Sequence, residues 1–257
     1  MSERVRLDQL LVARELAPSR ERAQALILAG AVQVDGRRAD RAAAPVAADV
    51  ALTVASGPRY VSRGGEKLAG VLDDLGLDVA GKVVLDVGSS TGGFTDCLLQ
   101  HGARKVYAVD VGTNQLHWKL RSDDRVISIE HCNLRHWDPT RIPERCSVLV
   151  GDLSFISLRL TILPVLPSLT EDAEAILLVK PQFEAGRGDV GEGGIVRDAS
   201  VHERVCREIW DFFNQSEFVP QGLTESPIRG GEGNKEYLLH LRRGAAAGKF
   251  PEGLFYS

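Results

Sequence analysis

From residue 83 to residue 242 short apolar runs alternate with stretches of helical spacing, and this alternation restricts the possible folds more than any other feature of the chain. Strands are expected at Val83–Val87, Lys105–Asp110, Val126–Glu130, Ser147–Asp152 and Ala175–Lys180. Helices are expected at Gly65–Leu75, Gly93–His101, Asn114–Arg121, Ser157–Leu166 and Ala199–Phe213. Repeated strand–helix–strand units build a parallel sheet with helices on both faces. Two later strands, Phe218–Thr224 and Glu236–Arg242, flank a glycine-rich loop and read as a closing antiparallel pair.

Residues 1–58 follow a different plan. Leu7, Leu10 and Leu11 mark one helix face; Leu16 falls off that stripe near Pro18. Ser19 is a natural N-cap for a second helix with Ala23, Leu26 and Ile27 facing inward, and Gly30 ends it. Ala31–Val34 reads as a strand, Asp35-Gly36 as a tight turn, and Ala51–Val54 as the return strand. Arginines cluster on the polar side: Arg4, Arg6, Arg20, Arg22, Arg37, Arg38 and Arg41. Asp8, Glu21, Asp35 and Asp40 are interleaved with them, so a solvated mixed-charge face competes with a phosphate-binding surface. The run A-V-Q-V-D-G at 31–36, with R-x-x-A-x-x-L-I-x-A-G from Arg20 to Gly30, resembles the S4 RNA-binding domain. That resemblance implies RNA as the partner.

The chain is 257 residues long, enough for one large domain or two smaller ones, and carries a net charge of -4. A strongly basic nucleic-acid binder is excluded, while a local basic face is not. Cys97, Cys132, Cys146 and Cys206 form no C-x-x-C pair, so they read as small buried hydrophobes of a reducing compartment, and no metal site is expected. The start M-S-E-R-V-R-L-D has no apolar stretch for secretion, and Asp152, Arg159, Pro164 and Pro167 interrupt the most apolar region. A cytoplasmic protein is expected.

Asp86-Val87-Gly88-Ser89-Ser90-Thr91-Gly92-Gly93-Phe94 follows the first strand of the sheet and opens a helix. Glycines there let a ligand approach the backbone, at the carboxyl end of a parallel strand. The spacing is not the G-x-G-x-x-G of a dinucleotide site. With Asp86 before the loop and Asp110 at the end of the next strand, placed to hold ribose hydroxyls, S-adenosylmethionine is the cofactor that fits best. Asn133, after the third strand, is either an adenine contact or an ordinary loop residue.

Asp152 ends the fourth strand, Lys180 the fifth, and Glu236 begins the last; Lys67 lies on the helix before the first. Pro181 stops the strand directly after Lys180, so that side chain projects into the cleft. A lysine set between carboxylates and a second cation can activate or orient a sugar hydroxyl for attack on a methyl sulfonium. Lys180 is then either a neutral base or a charged group that orients the oxygen, and the sequence leaves both open.

D-V-G-S-S-T-G-G-F, G-D-L-S-F-I-S, L-V-K-P-Q-F-E, G-R-G-D-V-G-E-G-G-I-V-R-D and G-N-K-E-Y-L together resemble the TlyA family, also called hemolysin A. The resemblance implies a ribosomal-RNA cytidine 2'-O-methyltransferase: an N-terminal S4 domain (1–58), a linker (59–64), a methyltransferase domain (65–245) and a tail (246–257). The implied fold is α/β, the Rossmann-like class I S-adenosylmethionine-dependent methyltransferase with a mainly parallel seven-stranded sheet. The catalytic part resembles FtsJ-type ribose methyltransferases, whose Lys-Asp-Lys-Glu tetrad falls on Lys67, Asp152, Lys180 and Glu236. Cofactor contacts are expected from Asp86, Gly88, Ser89, Ser90, Thr91, Gly92, Gly93, Phe94, Asp110, Asn133 and Asp152. The linker departs from the family pattern at Tyr60, where tryptophan is usual. RNA contacts are expected from Arg4, Arg6, Arg20, Arg22 and Arg37, with Arg59, Arg63 and Arg187 extending a basic track toward the cleft. The glycine-rich loop 186–196 is expected either to close over RNA or to be a plain surface connection. Two other functions compete: a non-catalytic RNA-binding or assembly factor, and a membrane-lysing protein, for which the chain offers no apolar span.

Overall fold

In a computed structural model the chain is described at residues 4–55 and 57–256, apart from the side chain of Arg187. It divides into two compact units, Met1–Arg59 and Tyr60–Ser257.

The smaller unit runs β1 (Arg4–Arg6), α1 (Leu7–Ala13), α2 (Arg20–Leu28), β2 (Val32–Val34), β3 (Arg37–Arg38), β4 (Pro45–Ala47) and β5 (Leu52–Val54). Ser19 caps α2, its Oγ accepting the Arg22 N–H at 3.2 Å. Asp35 and Gly36 both have positive φ (49° and 75°), the geometry of a two-residue hairpin turn, and they join β2 to β3 with Val34 opposite Arg37. β2 also pairs with β5, as the return strand requires. The pairing of β1 with β4 was not legible in the sequence, because three-residue strands holding arginine and proline carry no alternation to read. Leu7, Leu11, Ala23, Ile27 and Val32 make the small core. Leu16 is 38% exposed, as its place off the stripe implies.

The larger unit continues with α3 (Gly64–Leu75), β6 (Val83–Val87), α4 (Gly93–Gln100), β7 (Lys105–Val109), α5 (Trp118–Arg121), β8 (Val126–Ile129), β9 (Cys146–Gly151), α6 (Leu158–Thr161), β10 (Leu169–Val179), α7 (Pro181–Glu184), α8 (Ala199–Asn214), β11 (Phe218–Glu225) and β12 (Tyr237–Arg243). Seven strands form one sheet in the order β11-β12-β10-β9-β6-β7-β8. Strands β10, β9, β6, β7 and β8 are parallel; β12 runs antiparallel to both β10 and β11. The chain therefore reverses direction only at the closing pair.

Side chains on β6 alternate between two hydrophobic clusters, Val83, Leu85 and Val87 in one and Val84 in the other. The second cluster includes residues of α3 and α4; the first includes α8 and the end of the chain, where Phe255 is buried against Tyr237. Residues expected to form a tail thus pack on the larger unit. Tyr60 is buried too, its ring lying where a Cβ on Gly65 would stand.

Three elements differ from expectation. The helix expected at 157–166 is α6 followed by a 3-10 stretch, Leu163–Ser168, because Pro164 and Pro167 supply no N–H to an α-helical ladder. The helix expected from Asn114 begins only at Trp118, since Asn114 has φ of 54°. Strand β10 starts at Leu169 rather than Ala175, with an irregularity before Glu174.

Candidate active site

The carboxyl ends of β6, β9 and β10 lie side by side in the sheet; β9 and β10 each deliver one charged side chain just beyond their last residue, and β6 leads into the glycine loop. Asp152 follows β9 directly, and its N–H donates to the Val87 carbonyl at 3.1 Å. Gly88, with φ of 78°, has no room for a Cβ: such an atom would sit 2.8 Å from the Asp152 carbonyl oxygen. The missing side chain is what lets the glycine loop and the Asp152 backbone touch. Lys180 follows β10, and Pro181 opens α7 immediately after it. Glu236 precedes β12, beneath Gly230, whose Cβ would come 2.0 Å from Glu236 Oε1. Lys67 reaches the same place from α3, with its side chain buried.

These four side chains form one continuous chain of ion pairs. Glu236 Oε2 lies 2.6 Å from Lys67 Nζ, and Lys67 Nζ lies 4.0 Å from Asp152 Oδ2. Asp152 Oδ1 lies 2.5 Å from Lys180 Nζ, which also donates to Ser154 Oγ at 2.8 Å. Lys67, Lys180 and Glu236 are 7%, 8% and 2% exposed, so two ammoniums and two carboxylates are held largely away from water. Such a group is stable only when every charge keeps its partner. Lys180 donates one N–H to Ser154 Oγ and meets Asp152 as an ion pair, which leaves it donor capacity for a further partner. Ser154 was not singled out in the sequence, although it stands two residues beyond Asp152.

Asp152 faces two cavities. The larger, of about 520 Å³, is lined by Gly88, Ser90, Asp110, Asn133 and Asp152 together with a mostly apolar wall that includes Leu134 and Leu153. Val111, Gln115, Cys132, Ile156 and Thr161 also line it; they were missed because they come from separate loops and from α6, and no spacing in the sequence links them. The smaller, of about 80 Å³, is ringed by Ser89, Ser90, Thr91, Gly93, Phe94 and Asp152, with Ser62 and Gly64 from the start of α3. Asp110 accepts the Ser90 N–H at 2.8 Å and the Gly112 N–H at 2.7 Å, so its carboxylate ties the glycine loop to the next loop. Asn133 is exposed on the cavity wall, and its Oδ1 accepts the Arg135 N–H at 3.1 Å.

Two residues expected to touch the cofactor do not line either cavity. Asp86 is completely buried, on the face of β6 that α4 covers. Its Oδ2 accepts the Thr95 hydroxyl at 2.6 Å, while Oδ1 has no hydrogen-bond partner among the described residues. Burial pushes its carboxyl up to about 7, against the Thr95 bond and with the help of Asp152 and Asp110. Gly92, with φ of 94°, instead packs on Leu116 and Leu120.

Phe155 is the most conspicuous residue at the cavity mouth. It has φ of 63°, a conformation an aromatic residue seldom holds without cause, and it is 89% exposed. Its ring lies 4.8 Å from that of Phe183, over which Lys180 Nζ sits at 5.8 Å.

The arginines of the smaller unit are only partly free. Asp8, which reads in sequence as one acid of a solvated face, is fully buried. It accepts from Arg6 Nε at 3.0 Å and Nη2 at 2.8 Å, from Gln24 at 3.0 Å and from Arg20 at 3.3 Å. Arg6, beside it, holds its carboxyl well below the usual range. Arg6 and Arg20 keep 43% and 49% of their side chains exposed, so both are aimed outward by one buried anion. Arg4, Arg22, Arg37 and Arg59 are exposed. Arg63, in the larger unit, donates to the Arg229 carbonyl and so holds the loop over Glu236. The side chain of Arg187 lies outside the described residues.

The FtsJ-like methyltransferase family matches residues 60–243, and the S4 domain matches residues 5–50. The chain belongs to the FtsJ-like methyltransferase family, in its S4-bearing TlyA branch. The 16S/23S rRNA (cytidine-2'-O)-methyltransferase TlyA of Mycobacterium tuberculosis is 45% identical over 94% of this chain and 91% of that protein. Hemolysin A of Brachyspira hyodysenteriae is 43% identical over 92% of this chain and 99% of its own length. A solved structure from Streptococcus thermophilus, named as a candidate hemolysin, superposes with a TM-score of 0.73 at 42% identity, covering 97% of this chain and 92% of that one. Among the described residues no helix of this family member is long and apolar enough to cross a membrane. No group of three or more His, Cys, Asp or Glu among them is placed to hold a metal ion.

Proposed function

We propose that the larger unit methylates the 2'-hydroxyl of a cytidine in ribosomal RNA with S-adenosylmethionine as donor, and that the smaller unit docks on that RNA. The assembly of Glu236, Lys67, Asp152 and Lys180 into one buried ion-pair chain beside the 520 Å³ cavity carries this reading. The name of the Mycobacterium tuberculosis relative supports the substrate.

The residues present fit the cofactor. Gly88 keeps the loop backbone open, Asp110 offers a carboxylate for ribose hydroxyls, and Asn133 and Leu134 on the cavity wall offer an amide and an apolar face for a planar base. When bound, S-adenosylmethionine supplies an electrophilic methyl on a positively charged sulfur. Asp152 is the hub: it lines both cavities and fixes Lys180 from behind. Lys180 turns an N–H toward the hydroxyl oxygen and sets the direction of its lone pair; as the O–CH3 bond forms and the S–CH3 bond breaks, the hydroxyl proton passes to solvent. Lys67 and Glu236 hold Asp152 in place from the far side. Phe155, exposed and strained at the mouth, offers its ring to the target base once that base leaves its stack. Arg6 and Arg20, preset by Asp8, are suited to phosphate contacts.

The test is methyl transfer from labelled S-adenosylmethionine to 16S and 23S rRNA, with the product mapped as 2'-O-methylcytidine. Lys180→Ala should lose transfer while keeping cofactor binding by calorimetry. Full activity in that variant, or no cofactor binding by the native chain, would refute the assignment.

A further inference from the structure

The loop from Asp110 to His117 supplies Val111 and Gln115 to the wall of the large cavity and then presents Trp118 to solvent. The Trp118 side chain belongs to a residue 74% exposed, whereas the chain's other tryptophans, Trp137 and Trp210, are buried at 7% and 4%. Leaving an indole in water forgoes one of the largest burial gains a side chain can make.

The short helix α5 is built to keep it there. Leu116 and Leu120, on either side of the tryptophan, are 5% and 1% exposed. Both close on Gly92, where a Cβ would stand 2.7 Å from Leu116 and 2.2 Å from Leu120. The His117 N–H donates to the Thr91 carbonyl at 3.1 Å, and His117 Nδ1 accepts the Lys119 N–H at 3.3 Å. The helix is thus pinned to the cofactor loop through its inner face. The His117 ring lies 5.8 Å from the indole, tilted by 33°.

Charge around the indole favours one kind of partner. Lys119 reaches Asp96 at 3.5 Å and Arg121 reaches Glu130 at 3.7 Å, both long for charge-assisted hydrogen bonds; Arg121 also donates to Asn114 Oδ1 at 2.5 Å, a neutral acceptor that leaves its charge unmatched. Asp123 is neutralised by Arg125 at 2.7 Å. A protein partner would call for a contiguous apolar patch, but with Leu116 and Leu120 buried the residues that flank Trp118 at the surface are His117, Lys119, Arg121 and Ser122. An aromatic face interleaved with cations suits an unpaired base and its phosphates.

We propose that Trp118 is a stacking platform for an unpaired RNA base flanking the nucleotide in the active site, with Lys119 and Arg121 turning to its phosphates; this deepens the function proposed above and rests on it.

Trp118 is the only exposed tryptophan among the described residues, so its emission reports the event directly. Protein-free 16S and 23S rRNA should quench tryptophan emission, and Trp118→Phe should remove the quenching while keeping most of the RNA affinity. Trp118→Ala should raise KM for rRNA about tenfold, within the range of one stacked base. Its kcat and its affinity for S-adenosylmethionine should not change. Quenching by S-adenosylmethionine alone would assign the indole to the cofactor and overturn the proposal. A native KM in Trp118→Ala, unquenched emission with RNA bound, or emission that changes with protein concentration alone would overturn it as well. Quenching needs no methyl transfer: if RNA quenches but no methylated product forms, the catalytic reading alone fails.

Discussion

Replacing Glu236 with leucine tests the ion-pair chain where it is most deeply buried. The change removes one partner of a pair at 2.6 Å whose residues are 2% and 7% exposed. An ion left alone in such a site costs about 3–5 kcal/mol. Asp152, at 4.0 Å from the same ammonium and with 22% of its side chain exposed, offsets part of the loss, so about 3 kcal/mol is expected. For a unit spanning residues 60–257 this corresponds to a fall in melting temperature of roughly 6–12 °C. All three tryptophans lie in the larger unit, so their emission during urea unfolding follows that unit without interference from the other. The double variant Lys67→Met, Glu236→Leu removes both charges and should recover most of the stability, giving strong coupling in a double-mutant cycle. Methyl transfer should stay lost in the double variant, because Asp152 and Lys180 then lack their support. Additive rather than compensating effects would refute the buried pair. A double variant that methylates at the native rate would refute its role in positioning Asp152.

Three further outcomes follow from single residues. Asp86 titrates near 7 in the folded chain because burial disfavours its charge, so its contribution to stability is fully present below the ordinary carboxylate value and is lost as pH rises to about 7. Asp86→Asn should therefore gain on the native chain by up to about 4 kcal/mol between pH 4 and pH 7 in unfolding experiments, and by no more above that; parallel profiles would contradict it. Gly92→Ala forces a Cβ to within 2.2 Å of Leu120 at a φ of 94°, and calorimetry should show S-adenosylmethionine affinity reduced by at least about tenfold. Phe155→Gly relieves a φ of 63° and should leave stability unchanged or raised by about 1 kcal/mol, while KM for rRNA increases; a destabilised variant with unchanged KM would show that the ring serves packing instead.

Much of this protein is written in local spacing. Ser19 caps its helix, Asp35-Gly36 makes its hairpin turn, and Pro181 ends β10 at Lys180, because each depends on residues a few positions away. The alternation of strands and helices likewise implied a parallel sheet, and polar residues at strand ends marked where chemistry could occur. What lay beyond sequence were facts of face and partner. Alternation along β6 sends Asp86 under α4 instead of into the cavity, although it directly precedes the glycine loop. Burial turns Asp8 from a surface acid into the anchor of two arginines, and Arg63 ties down the loop that carries Arg229, 166 positions further along the chain. Glu236 meets Lys67 across 169 positions of chain only because β12 runs back beside β10 while α3 packs on the same sheet face. Local propensity depends on neighbours in the chain, but desolvation and pairing depend on neighbours in space, and only the completed sheet decides which those are.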